Sequence, residues 1–174
     1  MTERTESRPV EVAVDGRTRA FDVRTDETLL ETLRDRCGTT SVRYCCGIGV
    51  CGTCTVLLDG DAVSSCLLLT VMAEGRQVTT PQGLAATSCS AISSAQQAFV
   101  DAGAFQCSYC IPGMALAAQA AIDRDPEASV DHLVDELAGN LCRCGSYPQV
   151  REALERLVSG PTDDTATTPE EVHQ

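Results

Sequence analysis

The sequence predicts an α+β chain in two parts, a small mixed α/β module of about eighty residues followed by an all-α part of four helices. Three observations carry that expectation. Alternating apolar strands broken by Asp-Gly turns occupy the first part, and alanine-rich helical segments fill the chain beyond Leu84. The eleven cysteines gather mainly into two groups, one in each part.

Taken in order, Val10 to Val14 alternates, Asp15-Gly16 turns the chain, and Arg17 to Arg24 returns, which reads as a β-hairpin. Thr25 and Asp26 are candidate N-caps for a helix whose apolar stripe is Leu29, Leu30 and Leu33, closed by Gly38. A cysteine-rich loop follows. Cys54 to Leu58, Asp59-Gly60 and Ala62 to Cys66 form a second hairpin, and Gln77 to Thr80 adds a short strand before Pro81. Helices are expected over 93–102 ended by Gly103, 112–123, 130–138 ended by Gly139, and 147–158 ended by Gly160, with Ser146 and Gln149 in a capping-box pattern. Four such segments suggest a compact bundle. The expected boundaries are 8–82 for the first domain and 83–160 for the second, with a disordered, acidic tail over 161–174.

Composition removes several functions. Net charge is −12 in 174 residues, which disfavours nucleic acid as a partner because a basic face is needed to meet phosphates. The polar N-terminal stretch has no apolar region of a secretory signal, and no apolar run approaches the ~18 residues of a membrane span. The expected location is therefore cytoplasmic. Thiols stay reduced there, so ligation explains the cysteines better than disulfides do.

Cys46, Cys51 and Cys54 follow C-x4-C-x2-C, with Cys66 twelve residues further on, the spacing of plant-type 2Fe-2S ferredoxins. A three-residue turn at Asp59 to Asp61 would set Cys54 opposite Cys66; a two-residue turn would miss by one position. Gly47, Gly49 and Gly52 allow the φ values by which backbone N–H groups can turn inward to anionic sulfur. Structural zinc is the rival, though its sites favour short Cys knuckles. Cys37, Cys45 and Cys89 are expected to be small buried hydrophobes.

The helical part carries Cys107 and Cys110 as C-x2-C and Cys142 and Cys144 as C-x-C, each pair ahead of a helix start. Two positive helix ends could thereby face one anionic group. Alone, four such thiolates suit zinc as well as iron; beside a plant-type site iron gains. No catalytic set is visible, and His132 and His173 are expected to be solvated.

The segments Cys46-Gly-Ile-Gly-Val-Cys51-Gly-Thr-Cys54-Thr-Val, Asp59-Gly60 with Ser65-Cys66, Gln106-Cys107-Ser-Tyr-Cys110-Ile-Pro-Gly-Met114 and Gly139-Asn-Leu-Cys142-Arg-Cys144 together resemble the small iron–sulfur subunit of molybdenum hydroxylases, the group of xanthine dehydrogenase, aldehyde oxidoreductase and carbon monoxide dehydrogenase. The resemblance runs from about Val10 to Val158. It implies an N-terminal β-grasp, plant-type ferredoxin-like domain and a C-terminal four-helix domain, each with one 2Fe-2S cluster. By that carry-over Cys46, Cys51, Cys54 and Cys66 hold the distal cluster, nearer a flavin, and Cys107, Cys110, Cys142 and Cys144 the proximal one. It places Gln106 and Cys144 beside the pterin of the molybdenum cofactor, although an ordinary buried amide accounts for Gln106 equally well. The implied partners are a large molybdopterin-binding chain and a medium FAD-binding chain, in a heterotrimer or a dimer of heterotrimers. The chain would then be the electron-transfer subunit of an oxidoreductase. A free-standing two-cluster carrier and a zinc-stapled interaction module are the alternatives. The family usually has Gly at Cys45, Thr at Ile111 and Thr-Gly at Gly145-Ser146; none of these departures removes a ligand, and they bear on hydrogen bonding to sulfur.

Overall fold

The computed structural model describes residues 6–86 and 92–160. The tail at 161–174, with His173, and Cys89 lie outside the described residues.

The first hairpin pairs β1 (Ser7–Val14) with β2 (Arg17–Arg24). Asp15 and Gly16 both take positive φ, 49° and 75°, the two-residue turn that matches strand twist. Val10, Val12 and Val14 alternate into the core. The Asp15 carboxylate also accepts from Thr80 N and Thr80 Oγ1, both at 2.8 Å, and so ties the turn to the end of the sheet.

Helix α1 (Leu29–Glu31) is capped by Thr28, not by Thr25 or Asp26. Glu27 N donates to Arg24 O, so those two residues are spent on a turn. Thr28 and Glu31 then form the reciprocal box. The helix widens at once into a π-helical turn (Thr32–Arg36) ahead of Gly38. Leu29, Leu30 and Leu33 are buried against Val10, Val12, Val23, Val56 and Val78.

The remaining strands are β3 (Thr55–Leu58), β4 (Asp61–Ser64) and β5 (Gln77–Thr79). The sheet runs β2-β1-β5-β3-β4, with β1 parallel to β5 and the other neighbours antiparallel. Strand β3 is covered on both faces, as alternation requires: Val56 and Leu58 join the α1 core, while Leu57 joins Leu84, Leu116 and Ala120 on the other side.

The β3–β4 turn has two residues, not three: Leu58 pairs with Asp61, and Asp59 and Gly60 take φ of 52° and 95°. In that register Ser65 meets Cys54, its hydroxyl donating to Cys54 O at 2.7 Å. Cys66 is brought in by a further turn, closed by Leu67 N to Ser64 O.

Among the described residues five helices follow: α2 (Pro81–Ala86), α3 (Ser94–Asp101), α4 (Ile111–Arg124), α5 (Val130–Glu136) and α6 (Tyr147–Ser159). The last four match the expected segments, and α2 is additional. Ser93 and Gln96 box the start of α3, and Ser129 caps α5. At α6 the expected box is absent: Ser146 makes no side-chain cap bond. The core of this half is Phe99, Met114, Leu133 and Leu154 over the small side chains Ala117, Ala118, Ala121 and Ala153. Small residues there let the helix backbones approach closely. Among the described residues no helix is long and apolar enough to cross a membrane.

Candidate metal centres

The loop between α1 and β3 carries Cys46 and Cys51 on its outer side, while Cys54 and Cys66 are buried beneath it. Gly47, Gly49 and Gly52 all have φ between 65° and 73°. This geometry turns amides inward. The N–H groups of Ile48 and Cys51, together with the Cys51 thiol, hold the Cys46 thiol well below its ordinary range, at about 6. Burial pushes the Cys66 thiol up to about 11, with the Cys54 thiol adding to the rise. Cys51 thus acts on Cys46 and Cys54 on Cys66, and Cys46 adds to the rise at Cys66, so the four thiols neighbour one another.

The helical half repeats the scheme. Cys107 Sγ lies 3.5 Å from Cys144 Sγ near the surface. The Tyr109 N–H and then the Cys144 thiol lower the Cys107 pKa. Cys110, which ends the loop as the N-cap of α4, is pushed up to about 12 by burial and by its neighbour Cys142. Burial also presses Cys142 upward, but the N–H of Ser146, the Cys110 thiol, the N–H of Cys144 and the Ser146 hydroxyl outweigh it, and its pKa falls.

Four candidate thiols thus neighbour one another in each half, Cys107 and Cys144 at 3.5 Å and the others closely enough to shift one another's pKa. Among the described residues, no three His, Cys, Asp or Glu side chains gather round one point. A rhombic two-iron cluster on four cysteines takes two thiolates at each iron, so adjoining sulfur pairs with inward amides suit it. Ser146 adds a sign of fit: its hydroxyl is buried with no hydrogen-bond partner and lowers the pKa of the neighbouring Cys142 thiol, as a donor beside a thiolate would.

Other expectations fare differently. Gln106 is no buried amide; it is exposed, and its Nε2 donates to Cys144 O at 3.1 Å, bringing the two singled-out residues together. Cys45 is exposed, not buried, because the loop runs over the protein surface there, and its thiol reaches that of Cys51, which raises its pKa. Cys37 is half-buried, and burial raises its pKa. His132 is exposed and sits 3.8 Å from Glu136.

The two loops touch along two seams that spacing alone did not reveal. In one, Leu141 N donates to Cys51 O at 2.9 Å and Asn140 Nδ2 to Gly52 O at 3.0 Å. A Cβ at Gly52 would lie 2.5 Å from Gly139 O, and one at Gly113 would lie 2.7 Å from Gly52 O. In the other, the Arg43 guanidinium donates to Ser108 O and lies 5.2 Å from the Tyr109 ring centre, while Tyr109 OH donates to Tyr44 O at 2.6 Å. The motif Gly139-Asn140 was the one sequence signal for either seam. Around the first loop Tyr44, Ile48, Val50 and Leu67 stand more than half exposed, an apolar collar about the outer sulfurs.

A hairpin-and-helix half and a helical half, each gathering four candidate thiols beside inward amides, are the architecture of an iron–sulfur protein. Residues 12–94 match the 2Fe-2S iron-sulfur cluster binding domain and residues 80–155 the 2Fe-2S binding domain. The chain is 36% identical over 149 residues to the nicotinate dehydrogenase small FeS subunit of Eubacterium barkeri, covering 86% of this chain and 94% of that one. It is 38% identical to the nicotine 6-hydroxylase small subunit of Paenarthrobacter nicotinovorans, over 83% of this chain and 86% of the relative. Among solved structures, quinoline 2-oxidoreductase from Pseudomonas putida superimposes with a TM-score of 0.80 at 33% identity, over 88% of this chain and 94% of that one. The aldehyde oxidoreductase of Desulfovibrio desulfuricans gives the same TM-score at 33% identity, over 87% of this chain but only 17% of a much longer one. The chain belongs to the family of small iron–sulfur subunits of molybdenum hydroxylases, and its role is electron transfer within such an oxidoreductase.

Proposed function

We propose that Cys46, Cys51, Cys54 and Cys66 hold one 2Fe-2S cluster and Cys107, Cys110, Cys142 and Cys144 a second, in a β-grasp domain over 8–82 and a four-helix domain over 83–160. Electrons enter from a molybdopterin centre in a large partner chain at the face formed by Gln106 and Cys144, and leave for FAD in a medium partner chain at the face of Cys46 and Cys51. When bound, each cluster accepts and passes on one electron at a time.

The rest is work for side chains and backbone. Cys54, Cys66, Cys110 and Cys142 anchor the inner side of each site away from water. Amides of Ile48, Cys51, Tyr109 and Ser146 face sulfur and favour its anionic form. The exposed collar of Tyr44, Ile48, Val50 and Leu67 supports a partner there, since covering it removes apolar surface from water beside the outer sulfurs.

The observation that carries this reading is the gathering of four cysteines beside inward amides in each half, with Cys107 and Cys144 Sγ 3.5 Å apart in the second. Anaerobic purification followed by metal and sulfide analysis tests it. About four irons and four acid-labile sulfides per chain are expected; a colourless protein carrying zinc overturns it. Isolation of the native assembly should also bring molybdenum and flavin with this chain, and a monomer with neither would point to a free-standing carrier.

A further inference from the structure

We propose that Arg43 tunes the electron affinity of the second thiolate site, acting on Cys107 through the peptide that joins Ser108 to Tyr109. The inference rests on the two-site reading above, and its residues are not among the thiols.

Arg43 belongs to the first half yet is used in the second. Its guanidinium donates to the Ser108 carbonyl and is seated against the Tyr109 ring, with 5.2 Å between guanidinium carbon and ring centre. The seat is itself fixed, because Tyr109 OH donates to Tyr44 O at 2.6 Å. Two contacts therefore hold one half-buried cation, and a third fixes the ring against which it sits. A cation held against a ring face and a carbonyl, partly out of water, acts more strongly on nearby charge than a freely solvated one.

The peptide beneath it supplies the route. Ser108 takes a φ of 61°, a left-handed conformation uncommon for a residue with a side chain. In a trans peptide the carbonyl and the following N–H point in opposite directions. The Ser108 carbonyl meets Arg43, and the Tyr109 N–H of the same peptide is the largest influence lowering the Cys107 pKa. A charge-assisted bond at the oxygen polarises the unit and strengthens the donation at its nitrogen. Arg43 thus acts on sulfur twice, by direct field and through a polarised amide.

The sign follows from charge. A site built on four thiolates is anionic before an electron arrives and more so afterwards. A fixed positive charge and a stronger N–H donor both favour the more negative state, so they raise the reduction potential. Arg143 offers an internal comparison: it sits between Cys142 and Cys144 but is exposed, with its charge in solvent.

The test is an EPR-monitored redox titration of the full chain, the second-site signal being the one that Cys110→Ser removes. Arg43→Gln keeps a donor and loses the charge; it should shift that signal to a more negative midpoint with iron content unchanged, and move the first-site signal less. Arg43→Lys should restore most of the shift, and Arg143→Gln should produce a smaller one. Tyr109→Leu, which unseats the guanidinium, should move the midpoint in the same direction and serves where Arg43→Gln does not load iron. An unchanged second-site midpoint in Arg43→Gln or in Tyr109→Leu, an equal loss in Arg43→Lys, or an equal shift in Arg143→Gln overturns the inference. Wild-type protein without two iron signals would instead defeat the two-site reading itself.

Discussion

The thiols divide into eight candidate ligands and three spare cysteines, and substitution should separate them. Cys51→Ser and Cys110→Ser should each abolish a different one of two EPR signals, whereas Cys89→Ala and Cys37→Ala should leave both. Loss of a signal with either of the last two would show the ligand sets to be wrong. Glu27 is a second informative residue because it is buried and paired with the Arg36 guanidinium. Arg36 donates to both its oxygens at 2.6 and 2.7 Å, and Thr32 adds a third bond at 2.8 Å. Arg36 first, and Thr32 after it, hold the Glu27 carboxyl down at about 2, against burial that works the other way. A depressed folded-state value means that this contribution is fully present above about 4.5, the ordinary value, and is lost as pH falls toward about 2. Glu27→Gln should cost about 2 kcal/mol near neutrality. In thermal melts from neutral to acid pH, the gap between wild type and variant should narrow across that window; a constant gap would deny the linkage.

At the level of elements, the strands and most helices could be read from pattern, since Val10, Val12 and Val14 alternate, and Leu29, Leu30 and Leu33 recur at helical spacing. Local chemistry decided what pattern left open. Asp59 tolerates the left-handed conformation that Gly60 takes freely, so the β3–β4 turn closes in two residues and sets Cys54 against Ser65. Thr28 won the cap of α1 because Glu31 sits three residues on, where neither Thr25 nor Asp26 has an acid or amide. Helix α2 escaped notice because it is six residues long and lacks an amphipathic stripe. Its Gly83 packs on Asp15, whose Oδ1 would lie 1.8 Å from a Cβ there. Helix α4 meets β3 through Leu116 and Ala120, both buried. Enlarging the smaller of them, Ala120→Leu, should overpack that contact and cost about 1–3 kcal/mol; a urea melt at unchanged secondary structure would measure it.

For the whole molecule, the spacing of eight cysteines pointed to two candidate centres, but not to how the two halves are joined. Contacts between residues far apart in sequence, such as Asn140 with Gly52 or Arg43 with Ser108, leave no periodic trace. Those contacts predict that the halves melt together. Calorimetry of the full chain should show one transition, and Gly52→Ala, which forces a Cβ to 2.5 Å from Gly139 O at a φ of 65°, should split it in two. Two transitions in the wild type would mean that the seam contributes little.

That interlock also bears on how such subunits can be recombined. With Gly52 and Gly113 sharing a space too small for one added carbon, a chimaera that grafts a foreign ferredoxin onto these helices inherits a steric conflict unless the graft brings its own glycine at that point of the loop. The two halves are therefore exchangeable only as a matched set, and compatibility between donors is governed by the fit of two backbones and not by the cysteines.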